Sequence, residues 1–447
     1  MSFFKKIVNK HTINLASSAA MPVIGLLVLS QLTRHFPTKT DFGNYVFFLQ
    51  TFLLADMFRT GFLQTSLVKF YAGAPKERAL NVAGSAWAVG FILTFGLAFI
   101  DLIIYFFVKS GNSDLEATLK WFGIIYICTL PSAIAGWILQ AEERFDKMFI
   151  IQVINQGGFL ILVLLIIFFK AINFETVLYC YLGTNIFTSL LCIVMGWSQV
   201  RAIRHKSLQS IKELLNFGKY GVGTSIGSTL LRSSDIYIIR GMFPPAFVGI
   251  YYIPQRLMEF FEIPMRSFVA TALPELSTAA QHDNKPAVAH VMKKYGSLLT
   301  VLLIPIAVGG FFLGGVVIHI LSGEKYEGSE AFNIFRIFLC YVIIMPMDRF
   351  FGITLDILNK PHLNMMKVFL MLTVNIIADF IGIAIFHNLY GVAIASLFTY
   401  YSGLIFGYIQ LKKHLKFSLR DVLVVGFGEV KAMIQHVLHK QAKTKNI

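Results

Sequence analysis

The sequence predicts an all-α polytopic membrane protein, with about twelve transmembrane helices arranged as two six-helix halves. Three observations carry that prediction. Of the 447 residues, 56% are hydrophobic and only 14% are Asp, Glu, Lys or Arg, against about 25% charged residues in soluble domains. Apolar stretches of about twenty residues, the length that crosses the hydrocarbon of a bilayer, follow one another from His11 to Leu411. The positive charge, a net +15, gathers on alternate connections.

Taken in order, the expected spans lie at 11–33, 44–68, 80–108, 119–140, 148–169, 175–199, 217–240, 247–271, 295–320, 331–355, 362–386 and 389–411. Met1 to Asn9 is basic, but the apolar run behind it continues past signal length without a small-residue cleavage site, so the first span is expected to be retained. With the N-terminus in the cytoplasm, that side receives Lys5, Lys6, Lys10, Lys69, Lys76, Arg78, Arg144, Lys147, Arg201, Arg204, Lys206, Lys212, Lys285, Lys293, Lys294, Lys360 and the basic tail from Lys412 to Lys445. The far side receives only Arg34, Lys39, Lys109, Lys120, Lys170, Arg240 and Lys325. This asymmetry places both termini inside. It also accounts for the excess charge, so nucleic acid is not an expected partner.

The polar stretch at 201–216 reads as a cytoplasmic linker between an N-terminal half at 1–200 and a C-terminal half at 217–412. A faint repeat supports the division: Phe36-Pro37 leads through a turn to Gly43-Asn44-Tyr45, and Phe243-Pro244 leads to Gly249-Ile250-Tyr251. Duplicated halves are a common build of secondary transporters. In the tail, 413–447, Leu419, Val422, Leu423, Val430, Met433, Ile434, Val437 and Leu438 recur at helical spacing among charges, which suits an amphipathic helix in the headgroup plane.

Several spans are interrupted. Pro22, Pro131, Pro254, Pro264, Pro305 and Pro346 remove backbone donors, and Gly218, Gly221, Gly223 and Gly227 line the start of the seventh span. Such residues fit close helix packing or a wet cavity. The charges within spans discriminate better. Asp56 and Arg59 share the second span, Arg232 and Asp235 the seventh, and Arg256, Glu259, Glu262 and Arg266 the eighth. Arg336, Asp348 and Arg349 follow in the tenth and Asp379 in the eleventh. A central Arg or Asp facing lipid costs about 3 kcal/mol even on the mild insertion scale. These groups are therefore expected to face protein or water. Spacings of i,i+3 and i,i+4 let each couple share one helix face as an intrahelical pair. A chamber lined by arginines suits a phosphorylated anion, which guanidinium binds through forked hydrogen bonds. Tyr45, Tyr237, Tyr251, Tyr252 and Trp137 offer rings that could stack on sugars.

Cys128, Cys180, Cys192 and Cys340 sit in apolar segments without ligand spacing and read as core residues. No phosphate-binding loop, zinc-protease helix, nucleophile elbow or dinucleotide fingerprint is present, so neither a cofactor nor a soluble-enzyme activity is expected. The short connections also leave no room for the large outer loop of a membrane enzyme acting on lipid-linked glycans.

Leu32-Thr33-Arg34, Asp41-Phe42-Gly43-Asn44-Tyr45 and Arg59-Thr60-Gly61-Phe62 resemble the Wzx-like polysaccharide and oligosaccharide flippases of the MATE/oligosaccharidyl-lipid/polysaccharide exporter superfamily. Phe217-Gly218, Ser234-Asp235-Ile236-Tyr237-Ile238, Val248-Gly249-Ile250-Tyr251, the run from Ala270 to Ser277, and Asn388-Leu389-Tyr390-Gly391 extend the likeness over nearly the whole chain. The resemblance implies a V-shaped bundle that alternates access across a bacterial inner membrane. It implies an undecaprenyl diphosphate-linked oligosaccharide as substrate, and other glycan-assembly membrane proteins as possible partners. By helix and depth, Arg59, Arg232 and Arg256 match cavity arginines, with Arg266 and Arg349 as second choices. Coupling to H+ or Na+ is a family property, for which Asp56, Asp235 and Glu259 are the candidates. Two relatives compete. A MATE-like exporter of cations needs an acidic cavity, whereas arginines outnumber acids in the later spans. A lipid II flippase carries further spans, for which this polar tail is too short.

Overall fold

A computed structural model describes residues 10–108 and 113–418, with 425, 428 and 431 beyond them. The amphipathic helix expected in the tail falls almost wholly outside the described residues. Among those described there are helices and no strands. In chain order they are α1 (Lys10–His35), α2 (Lys39–Tyr71), α3 (Lys76–Val108), α4 (Ser113–Cys128), α5 (Leu130–Ala141), α6 (Phe145–Gln152), α7 (Gly158–Phe168) and α8 (Phe174–Val194). A 3-10 turn at Val200–His205 precedes α9 (Leu208–Met242), α10 (Pro245–Gln281) and α11 (Lys285–Ser322). Then come α12 (Ala331–Val342), α13 (Met345–Ile357), α14 (Pro361–Phe386) and α15 (Leu389–Lys412).

Local chemistry sets the helix starts. Thr38 and Asp41 form a reciprocal capping box at α2, and Asn173 and Thr176 form one at α8. Ser207 and Asn388 cap α9 and α15 through their side-chain oxygens. Seven helical stretches are long and apolar enough to cross a bilayer, and two bent pairs raise that to nine. The remaining long helices, α1, α9 and α10, have 26, 35 and 37 residues. Among the described residues, length and apolarity alone thus account for up to nine of the about twelve expected spans. Charge explains much of the shortfall, since α9 and α10 carry most of the in-span ion pairs expected from sequence.

The two bent pairs are α4–α5, at 44°, and α12–α13, at 47°. In each, a proline stands in the first turn of the following helix, Pro131 in α5 and Pro346 in α13. The missing N–H and the ring's clash with the preceding turn break the ladder there. Pro22, Pro254, Pro264 and Pro305 lie inside continuous helices. A π-turn at Val153–Gly157 joins α6 to α7 within a third apolar stretch.

Packing divides the chain into two units: residues up to Ile250 with Ile320–Glu327, and Tyr251–His319 with the residues from Gly328. In the first unit α9 runs antiparallel along α2. A Cβ on Gly61 would stand 2.8 Å from Val222 Cα, and one on Gly218 would stand 2.9 Å from Phe62 Cα. Glycine is required on both helices because main chain meets main chain. The repeated motif shows the same thing at its own glycines. Gly43 leaves no space for a Cβ against the Pro245 carbonyl, and a Cβ on Gly249 would stand 2.7 Å from the Phe42 ring. Thus each repeat's glycine abuts the other repeat's helix start.

The linker is docked on α3 rather than free. Trp87 Nε1 donates to the Ser198 carbonyl at 2.8 Å, the Ser207 N–H donates to Ser85 Oγ at 3.1 Å, and Gly84 abuts the Ala202 carbonyl. Ala202 and Leu214 join Leu63, Leu67, Val82, Trp87 and Ile134 in one apolar cluster. Replacing Trp87 by phenylalanine keeps the ring but leaves the Ser198 carbonyl without its donor. A loss of about 1–2 kcal/mol is expected, read as faster trypsin cleavage at Arg201, Arg204 and Lys206. Unchanged cleavage would show that the linker is held some other way.

In the second unit α14 and α15 form an antiparallel hairpin closed by His387 at φ 53°. Gly382 and Gly391 abut each other's backbone, and Gly407 packs 3.0 Å from Phe351 Cβ as judged by its built Cβ. Met347, Phe350, Phe351, Leu355 and Leu411 form the core beside it.

Candidate functional site

Charged groups in membrane-depth helices need protein or water around them, and each predicted pair can now be placed. On α2, Arg59 Nε donates to Asp56 Oδ1 at 2.9 Å, and Nη2 donates to the same oxygen. The other donors reach the α4–α5 bend: Nη1 to the Tyr126 carbonyl at 3.2 Å and Nη2 to Thr129 Oγ1 at 3.0 Å. The guanidinium also lies 4.4 Å over the Tyr126 ring. From α8, Ser189 Oγ donates to the Cys128 carbonyl at 2.6 Å. A bend at membrane depth frees carbonyls that lipid cannot satisfy, and here side chains from two neighbouring helices take them. Arg59 is 1% exposed. The sequence assigns it to substrate; the geometry gives it protein acceptors on every edge. Asp56, 23% exposed at its side chain, holds it from its own helix.

A polar seam continues nearby in the same unit. Asn155, inside the π-turn, donates Nδ2 to Asn185 Oδ1 at 3.1 Å and lies 3.4 Å from Thr188 Oγ1. π-turns often mark functional positions in helices.

On α9, Asp235 is buried with Ser233 and Ser234, and Arg232 is exposed. Tyr237 sets its ring edge-on to Phe47 at 6.0 Å, and Arg240 lies 5.5 Å over the same ring.

On α10, in the second unit, both predicted couples form. Arg256 pairs with Glu259, and Arg266 Nη2 donates to Glu262 Oε2 at 3.0 Å. At 100° per residue the four positions fall within about 120° of the helix circumference, so they make one charged stripe. The stripe is partly open: the Arg256 and Glu259 side chains are 27% and 32% exposed, and Arg266 is 61% exposed. Tyr252 lies half-buried, within electrostatic reach of the first couple.

On α13, Arg349 is exposed and within electrostatic reach of Asp356. Its sequence neighbour Asp348 turns inward to Lys367 of α14, at 2.7 Å. Sequence reasoning passed over Lys367. The signal was present: a lysine within the apolar run of the eleventh span, and an aspartate one span earlier with no partner at i±3 or i±4. Asn375 and Asp379, one turn apart on α14, are also buried. Arg336 donates to the Phe311 carbonyl at 3.1 Å and lies 3.9 Å over the Phe332 ring, so aromatic faces shelter it. The rings suggested for sugar stacking are mostly core instead. Tyr45, Trp137 and Tyr251 are buried, Tyr45 stacking on Phe159 and Tyr251 meeting Phe338 edge-on at 5.5 Å.

The predicted residues thus fall on four helices, α2 and α9 in the first unit, α10 and α13 in the second. Arg59, Arg256 and Arg266 meet the carboxylates their spacing assigned. Long apolar helices, two bent helix pairs among them, with charges paired inside them, define a polytopic membrane protein. Solved structures with this fold include an inward-facing multidrug resistance MATE transporter of the MOP superfamily, at TM-score 0.75 and 12% identity over 89% of this chain and 98% of that one. The lipid II flippase MurJ in an inward closed conformation aligns at TM-score 0.73 and 15% identity over 95% and 92%.

Within that class the chain belongs to the polysaccharide biosynthesis protein family, whose sequence profile matches residues 32–331. A relative from Haloferax volcanii, described as a probable low-salt glycan biosynthesis flippase, is 21% identical over 311 residues, 68% of this chain. The chain spans 63% of that relative's length.

Proposed function

We propose that this protein flips a lipid-linked oligosaccharide, an O-antigen, capsule or exopolysaccharide repeat unit, from the cytoplasmic to the outer leaflet. In a bacterial inner membrane the carrier is undecaprenyl diphosphate. The charged stripe of α10 carries the reading. Arg256 and Arg266 are partly open, each is held by a carboxylate one turn away, and neither can face lipid cheaply. A diphosphate entering an aqueous chamber can take such a guanidinium from its carboxylate, because forked Arg–phosphate bonds are strong and directional. Arg349, exposed on α13, and, in the other unit, Arg232, exposed on α9, are further candidates for the anion. Family membership and the glycan flippase relative support the same substrate class.

In this reading the repeat units are residues 1–200 and 217–412, both termini are cytoplasmic, and access alternates between the two sides. H+ or Na+ supplies the energy, with Asp56, Asp235 and Glu259 as the acidic residues nearest the proposed arginines in sequence.

The experiment compares flipping of a lipid-linked oligosaccharide in proteoliposomes by the wild type and by Arg256→Ala, Arg232→Ala and Arg266→Ala. Losing one charge-assisted contact costs about 2 kcal/mol, or roughly thirtyfold in affinity, and Arg256→Ala is expected to show the largest rise in half-saturating substrate. Wild-type flipping by all three variants would remove the α10 stripe from the substrate path.

A further inference from the structure

A deeply buried ion pair joins α13 to α14. Lys367 of α14 is 3% exposed. Its Nζ donates to Asp348 Oδ1 at 2.7 Å and to the Asp348 carbonyl at 2.9 Å. Glycines on two helices make the room: a Cβ on Gly403 of α15 would stand 2.7 Å from Asp348 Oδ1, and one on Gly352 of α13 would stand 3.3 Å from Lys367 Nζ. Asp348 follows directly on the α12–α13 bend, so the ammonium pins the second arm of the bent span to α14. Met345, Met347, Phe350 and Phe351 surround this part of α13. An apolar couple would pack there, and such replacements of buried ion pairs are often neutral or stabilising. Packing alone gives no reason for charge at this depth.

A second carboxylate makes the arrangement two-position. Asp356 lies two turns further along α13, about 12 Å by helical rise, and Asn364 Nδ2 orients it from 2.8 Å. Lys367 is within its electrostatic reach. The other charged and titratable groups about this place are Arg349, exposed beside Asp348, and the Tyr295–Glu275 hydrogen bond at 2.7 Å on the far side of the apolar cluster. From α15, Gly403 faces Asp348.

We propose that Asp348 takes up a coupling proton, and that Lys367 passes from Asp348 to Asp356 when it does; the word coupling rests on the flippase reading above. The proton comes from water and forms an O–H bond on the Asp348 carboxyl. The ionic contact to Lys367 breaks, and the ammonium keeps its three protons as it turns to the Asp356 carboxylate. The added positive charge leaves when Asp348 returns its proton to water on the opposite side. Meanwhile α13 is free to change its angle at the bend, since the carbonyl contact leaves with the ammonium.

Two readouts on the full chain test this. Infrared difference spectra on acidification should show a protonated-carboxyl band in the wild type that Asp348→Asn lacks. Flipping in proteoliposomes should respond to an imposed proton gradient in the wild type and lose that response in Asp348→Asn. Where Asp348→Asn does not fold, the double variant Asp348→Asn with Lys367→Met, which leaves no unpaired charge, takes its place in both measurements. A carboxyl band that persists without Asp348, or a wild-type gradient response in either variant, overturns the proposal. If the wild type flips no glycan lipid at all, the flippase reading fails, and the infrared band still decides whether Asp348 takes the proton.

Discussion

Leucine at position 61 is expected to keep the protein from accumulating in the membrane, while leucine at position 96 leaves its yield unchanged. Gly61 of α2 faces Val222 of α9, where even a single Cβ would stand 2.8 Å from Val222 Cα and 3.1 Å from its nitrogen. The obstacle is main chain, which cannot rotate away. Gly221 abuts the Gly61 carbonyl in return, so the contact is tight from both sides. The two helices would have to separate along their length, and Tyr237 and Arg240 would lose their packing on Phe47. Overpacking in a well-ordered interior costs about 1–3 kcal/mol and occasionally more; a backbone-to-backbone seam belongs at the upper end. That is a large share of the roughly 5–15 kcal/mol by which a domain is stable. Gly96 of α3 has nothing within 4 Å of a built Cβ, which makes it the matched control. Size-exclusion of a fluorescent fusion reads both variants. A monodisperse Gly61→Leu peak at wild-type height would show that α2 and α9 do not meet here.

What the sequence made legible was whatever a single helix decides. Apolar runs located the helices, and i,i+3 or i,i+4 spacing joined Arg59 to Asp56, Arg256 to Glu259 and Arg266 to Glu262. What it concealed depends on which helices stand side by side. Arg59 looks like any cavity arginine until the Tyr126 carbonyl and Thr129 are brought to it from the α4–α5 bend. Asp348 and Lys367 are 19 residues apart, on helices whose pairing no periodicity reveals. The stretch at 201–216 reads only as a linker because Gly84, Ser85 and Trp87, which pack and bond it and its flanks, look ordinary in a span. Prolines illustrate the same boundary. Six in-span prolines look alike in the sequence, but Pro131 and Pro346 stand at the two broken helix pairs, while the other four lie inside continuous helices. At the first broken pair, neighbours supply donors to the carbonyls a break exposes.

Arg59→Leu should melt roughly 3–5 kcal/mol less stable than the wild type, with no substrate present. The loss is that large because it strands partners. Asp56 would keep a carboxylate without its cation at membrane depth, and the Tyr126 carbonyl and Thr129 would lose a donor at a bend that the helix ladder does not satisfy. Lysine at 59 is expected to recover only part of the loss, since a point charge can answer Asp56 but cannot reach three acceptors as the planar fork does. Adding Asp56→Asn to Arg59→Leu removes the stranded charge and should also recover part. The sum of the two single losses would then exceed the double loss, the signature of a direct pair in a double-mutant cycle. Thermal melting of the purified full chain in detergent measures all five proteins, the Asp56→Asn single variant included. A fastener and a substrate ligand predict opposite results here. If Arg59→Leu melts with the wild type and fails only in binding glycan lipid, then Arg59 belongs to the substrate after all, and the α4–α5 bend must hold its angle without it.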